Sequence, residues 1–205
     1  MKSRLFLLII FIISCNTNSI NNPENSDEII GIEMTIEATS FVDWEYYRFT
    51  DSTLFGPIAF YFGNTPENSL QWDIAFQRNH IRTNSGTSGI GSAGAYLDSI
   101  NTWDINLFND CCDYQIDDYT FYPDTLIDVF YNISDHTFSE GSTNPILESW
   151  AAIDTLNSYT MHISNNQFIV RDANSNNYYK LWIYDYYSSS NESGHVSIIY
   201  DKINY

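Results

Sequence analysis

Basic residues are the scarce charge in this 205-residue chain: eight Lys and Arg stand against 26 Asp and Glu, for a formal net charge of −18. That balance excludes the electrostatic basis of nucleic-acid binding and of adhesion to anionic lipid. Cysteine is nearly missing, with three residues, two of them adjacent at Cys111 and Cys112. Neighbouring cysteines join only through a strained ring, so the sequence offers no disulfide scaffold and the pair reads as structural or incidental. Long apolar runs are absent except Leu5 to Ile13, well short of the roughly 20 residues that cross a bilayer. Catalytic signatures are absent too: there is no G-x-S-x-G and no H-E-x-x-H. The acid-rich stretches 110–119 and 122–135 lack the ligand spacing of a calcium loop. The chain is therefore read as a binding protein and not an enzyme.

What is present begins at the N-terminus. Lys2 and Arg4 precede the apolar run, which ends at Ser14-Cys15. A basic start, a short apolar stretch and a small residue describe a secretory signal. Residues 1–14 resemble a bacterial lipoprotein signal, which implies that Cys15 is acylated and becomes the first mature residue. The alternative is an ordinary signal cut nearby, with Cys15 incidental. Each buried acyl CH₂ contributes about 0.8 kcal/mol, so several chains would hold the protein to a membrane without a spanning helix. Residues 15–29 are polar, Asn-rich and too poor in apolar groups to bury a face, so they read as a flexible tether. Residues 30–205 form one domain by length. Removal of Lys2 and Arg4 with the signal would leave six basic residues facing the 26 acidic ones.

Sixteen Tyr, 13 Phe and five Trp favour strands. In "IIGIEMTIEA", Ile30, Ile32, Met34, Ile36 and Ala38 alternate with polar residues or Gly. Similar runs at 44–50, 58–62, 71–83, 102–108, 126–133, 167–172, 178–186 and 195–203 are separated by Asn, Asp, Ser and Gly clusters. The expectation is an all-β domain of many short, mainly antiparallel strands. One short helix is expected in "NPILESWAA", with Asn144 as cap and Pro145 at its first position. Gly89-Ile90-Gly91-Ser92-Ala93-Gly94 spells G-x-G-x-x-G, but a dinucleotide turn needs a strand running directly in and a helix leading out. Here Asn84 to Ser88 intervene, and "LDSINTWD" carries no helical stripe. The glycines instead suit a tightly wrapped loop at a sheet edge.

Taken whole, "WDIAFQRNHIRTNSGTSGIGSAGAY" resembles the signature segment of the HmuY family, haem-binding lipoproteins of diderm bacteria. The resemblance is carried by Trp72, Asp73, Ala75, Arg78, Arg82, Asn84, Gly86, Ser88, Gly89, Gly91, Gly94 and Ala95. A second block agrees, with Val170-Arg171, Lys180 and Asp185-Tyr186 before a final strand opening at Gly194. The likeness covers about residues 30–205 and is weakest over 97–150. It implies a HmuY-like β domain at the outer membrane that captures haem or a porphyrin and delivers it to a TonB-dependent receptor. It also implies two axial iron ligands, usually His and in some members Met, from loops in the middle third.

On this chain the first ligand loop aligns loosely with "LIDVFYNISDHTFSE", where His136 is the candidate donor. The second ligand would follow Trp150, where the chain has Asp154 and Thr155. The other candidates are His80 on the signature segment, Met161 and His162 before the Val-Arg strand, and His195 in the last strand. Arg78 and Arg82 are read as lying on one strand about 13 Å apart. They either pair with local carboxylates to support the loop or contact an anionic group such as a haem propionate. Three functions stay open: haem binding through His136 and a second donor, binding of another apolar or aromatic ligand, and a surface lipoprotein with no small ligand.

Overall fold

The computed structural model describes residues 31–51, 53–60, 65–98, 119–132, 134–156 and 159–203. The signal segment, Cys15, the tether, the Cys111-Cys112 pair and the run 102–108 lie outside them. Thirteen strands are described, and every pairing among them is antiparallel. They are β1 (Ile32–Glu37), β2 (Glu45–Phe49), β3 (Leu54–Phe55), β4 (Ile74–Gln77), β5 (His80–Thr83), β6 (Gly94–Leu97) and β7 (Thr125–Asn132). The remainder are β8 (Thr137–Thr143), β9 (Ala151–Ile153), β10 (Met161–Ile163), β11 (Gln167–Arg171), β12 (Tyr178–Tyr187) and β13 (Ser193–Lys202). The all-β expectation holds.

One sheet has five strands in the order β1-β13-β12-β11-β6, and a second has four in the order β3-β2-β4-β5. Alternation explains how they pack. On β13, Val196, Ile198 and Tyr200 point inward; on β12, Tyr179, Leu181 and Ile183 do the same. They meet Tyr47, Phe49, Ile74, Phe76 and Ile81 of the smaller sheet in one buried cluster. β1 pairs with β13 in the register Ile36↔Val196, so its apolar face closes the same core. Lys180, on the opposite face of β12, is fully buried and forms an ion pair with Asp98. A buried cation needs such a partner, because an unpaired charge in that position would be strongly destabilising.

Three local expectations are corrected. The run 71–83 is a hairpin, not one strand. Arg78 has φ 55 and forms the β4–β5 turn with Asn79, so Arg78 and Arg82 do not share a strand. Residues 58–60 form no strand; Ile58 donates once to Tyr46 O, while Ile58 and Phe60 pack on Tyr46 and Trp72. The helix at 144–152 shrinks to a single 3₁₀ turn, Leu147–Trp150. Its cap position is Ile146 rather than Asn144, although Asn144 Oδ1 accepts from the N–H groups of Ile146 and Leu147 just ahead of the turn. Ala151 then leaves to pair in the two-stranded β9–β10 sheet, where it opposes Ile163.

The glycine loop joins β5 to β6 and is built around Asn84. That buried side chain donates to Ser69 O and Trp72 O at 2.7 and 2.8 Å and accepts from Gly91 N–H at 3.0 Å. A Cβ at Gly89 would lie 2.2 Å from Asn84 Oδ1, so the loop can wrap this closely only without one. Asp73 ties the sheets together, accepting from Phe49 N–H and Ala173 N–H. Asp124 accepts from Thr83 N–H, Thr83 Oγ1 and Asn144 Nδ2. Its burial lifts that carboxyl's pKa to about 6.

Candidate functional site

Beside the sandwich stand two hairpins, β7–β8 and β9–β10. Between them and the β4–β5 turn lies a cleft of about 550 Å³. Its apolar wall includes Phe41, Phe130, Ile153 and Tyr186, and its polar groups include Arg78, His80, Tyr131 and Tyr159.

The β7–β8 wall is shaped by a bulge. Asp128 opposes Glu140 and Phe130 opposes Ser139, leaving Val129 extra. A bulge re-aims the side chains around it, and Val129, Phe130, Tyr131 and Asn132 all line the cleft. Gly141 makes room on β8, since a Cβ there would fall 1.9 Å from Phe130 Cε2. The Phe130 ring then lies over His80, with centroids 4.1 Å apart, and meets Trp44 edge-on.

The two arginines have separate environments. Arg78 donates to Thr39 O, Ser193 O and Ser193 Oγ, with its guanidinium 4.3 Å over the Phe41 ring, and it lines the cleft. Arg82 sits 3.6 Å over Trp44 and donates to Tyr46 OH, away from the cleft lining. Burial lowers its pKa from the usual arginine value. Neither arginine forms an ion pair with a carboxylate among the described residues, and Asp124 and Glu67 act on Arg82 only at longer range.

The candidate donors divide similarly. His80 lines the cleft with its side chain about 10% exposed, and its Nδ1 is 3.0 Å from Glu148 Oε2. A carboxylate only accepts, so Nδ1 carries the hydrogen and Nε2 keeps the lone pair in the neutral ring. Met161 also lines the cleft but belongs to the main buried cluster, and its N–H donates to Tyr187 OH. His162 points to solvent, 3.6 Å from Asp154. His195 Nδ1 lies 3.1 Å from Glu192 O. His136 stands at the β7–β8 turn outside the lining, with Nδ1 2.6 Å from Tyr131 OH and 3.5 Å from Tyr159 OH.

Tyr131 and Tyr159 are the residues that sequence reasoning missed. The usable signal was a Tyr five positions before a His, with a turn between them. No cluster of three or more His, Cys, Asp or Glu able to hold a bare metal ion occurs among the described residues.

Fold and cleft together define a class: a two-sheet, all-antiparallel β protein with an aromatic-walled cleft beside its hairpins. The chain belongs to the HmuY family, whose HmuY protein model matches residues 40–200. It is similar to the crystal structure of a candidate HmuY-like haem-binding protein from Bacteroides vulgatus, with TM-score 0.61 and 19% identity over 84% of this chain and 92% of that one. An apo HmuY analogue from Tannerella forsythia aligns with TM-score 0.56 and 21% identity over 86% and 97% of the two chains. A candidate lipoprotein from Bacteroides fragilis aligns with TM-score 0.55 and 15% identity over 84% and 89%. No curated protein matches the chain in sequence.

Proposed function

We propose that this protein captures haem, or a porphyrin like it, in the cleft between its hairpins and is a binding protein rather than an enzyme. The observation that carries the reading is the cleft's composition. Its volume lies within the usual range for a small-molecule site. Phe41, Phe130 and Tyr186 offer apolar faces to a flat ring, and Arg78 offers a cation for a carboxylate arm. Four side chains with iron-binding atoms, His80, Tyr131, Tyr159 and Met161, line the same space. The residues therefore fit a haem. When bound, haem supplies the iron that is carried, while the protein supplies shape, a counter-charge and a donor.

The remaining envelope features rest on sequence. A signal over 1–14, an acylated Cys15, a tether over 15–29 and a domain over 30–205 would place the cleft outside the cytoplasm on an outer-membrane anchor. A TonB-dependent receptor is the partner to which such a protein would pass its cargo. The high acidic charge argues against nucleic acid as a partner.

A second reading has its own observation. Asp154 and Thr155 stand where the family's second ligand is expected, so the cleft would take a flat aromatic ligand without iron. Hemin and metal-free protoporphyrin IX, titrated separately while Trp fluorescence is followed, test both readings. Saturable quenching by both supports porphyrin capture, and quenching by protoporphyrin alone supports the second reading. No quenching by either contradicts the site.

A further inference from the structure

Resting on that reading of the cleft, we propose that the iron of a captured haem is held by an oxygen donor, the Tyr131 phenol, with His136 behind it as the acceptor of its proton. Three observations converge on this pair. Tyr131 lines the cleft and His136 does not. Their polar atoms, Tyr131 OH and His136 Nδ1, are 2.6 Å apart, a contact in which the imidazole accepts in the tautomer that carries its hydrogen on Nε2. The β7–β8 turn fixes the contact: His136 has φ 56, and Asp135 Oδ1 accepts from both Thr137 N–H and Thr137 Oγ1.

The opposite hairpin points to the same place. Tyr159 also lines the cleft, its ring centroid is 6.0 Å from that of Tyr131, and its hydroxyl lies 3.5 Å from the same Nδ1. The competing donors are tied into packing. His80 has Nδ1 held by Glu148 and its ring close to Phe130, which leaves only Nε2 for a ligand, and Met161 is part of the core.

On ligation one Fe–O bond forms, and the phenol proton moves along the existing hydrogen bond to His136 Nδ1. An anionic oxygen is a hard donor suited to ferric iron, and tyrosine is an established haem ligand. The site would therefore take oxidised haem in preference to reduced haem. By taking up that proton His136 makes the phenolate available to the iron, the service an outer hydrogen-bond partner gives a metal ligand.

The test uses the purified full chain, its Tyr131→Phe and His136→Ala variants, hemin, and metal-free protoporphyrin IX. The expected hemin complex shows a phenolate-to-iron charge-transfer band, which disappears on dithionite reduction as the haem is released. Tyr131→Phe abolishes that band yet binds protoporphyrin IX within about twofold of wild type, which also shows that the variant is folded. His136→Ala keeps the same band with affinity lowered about tenfold, the size typical of losing an outer-shell partner. A Tyr131→Phe spectrum identical to wild type overturns the assignment, as does loss of the band in His136→Ala with full retention in Tyr131→Phe. Failure of the wild type to bind either porphyrin refutes the cleft itself, a distinct outcome that removes the assignment with it.

Discussion

The glycine-wrapped loop after β5 and the β7–β8 hairpin each rely on a glycine to let another group come close, but the two approaches differ in kind. In the loop the close neighbours are backbone and buried amide: a Cβ at Gly86, where φ is +53, would lie 2.1 Å from Asp124 O. In the hairpin the close neighbour is an aromatic ring, with Gly141 underlying Phe130. A backbone carbonyl in a buried network cannot move without breaking its neighbours' hydrogen bonds, whereas a ring facing a cleft can swing into it. The first region holds the sheets together, and the second shapes what lies between the hairpins. The residues that mark the family on this chain therefore belong mostly to the scaffold, and the cleft is lined largely by others.

The sharpest way to break this division is to apply the same steric insult to both regions. Gly86→Val imposes a β-branched side chain on a left-handed backbone against Asp124 and should remove about 4 kcal/mol or more of stability. Urea denaturation followed by circular dichroism should show a protein unfolded or nearly so. A second effect also belongs to the scaffold. Because the pKa of Asp124 is about 6 in the fold against 3.8 as a model value, the native state holds more protons than the unfolded one between those values. Stability from this group is thus highest below pH 3.8 and falls as pH rises through 6, by up to about 3 kcal/mol. Subtracting the pH profile of Asp124→Asn from that of wild type should isolate this slope; a difference that is flat from pH 4 to 7 would contradict it.

In the hairpin the effects should fall on binding. Gly141→Ala should leave the urea midpoint nearly unchanged while displacing Phe130, weakening protoporphyrin binding about tenfold, or about 1.4 kcal/mol. If Gly141→Ala unfolds the protein as Gly86→Val does, the two regions are not different in kind. The smallest expected effect is that of Arg78→Met. Loss of one partly exposed cation should weaken binding of free-acid protoporphyrin about threefold to fivefold and leave the dimethyl ester unaffected. Equal loss for acid and ester would mean that Arg78 acts through Ser193 and Phe41 packing alone.

The scaffold was legible in sequence because its constraints are local and leave few residue choices. Alternation along β1, β12 and β13 states which face is buried, and Asn84 with its glycines states that the chain must wrap. The β4–β5 turn was hidden because Arg78 and Asn79 make it without the Asn-Gly or Asp-Gly that announces a two-residue hairpin. The missing half of the helix at 144–152 was a tertiary effect: Ala151 gains a partner in Ile163 that a single sequence window does not contain. The cleft was least legible. His80, His136 and Met161 were identifiable by donor type, and the Tyr131–His136 spacing hints at one pairing, but nothing in the sequence announces that Tyr159 of the other hairpin meets them. Of Tyr131, His136 and Tyr159, two are tyrosines in a chain that has 16 of them, so residue type alone does not single them out.

Hydrogen exchange of the purified protein with and without protoporphyrin IX, resolved by peptide, tests the division between scaffold and cleft most directly. Ligand should slow exchange in β7–β8, β9–β10 and the β4–β5 turn and leave the glycine loop 84–93 at its already slow rate. Protection that appears in the glycine loop while both hairpins exchange as before would contradict the account.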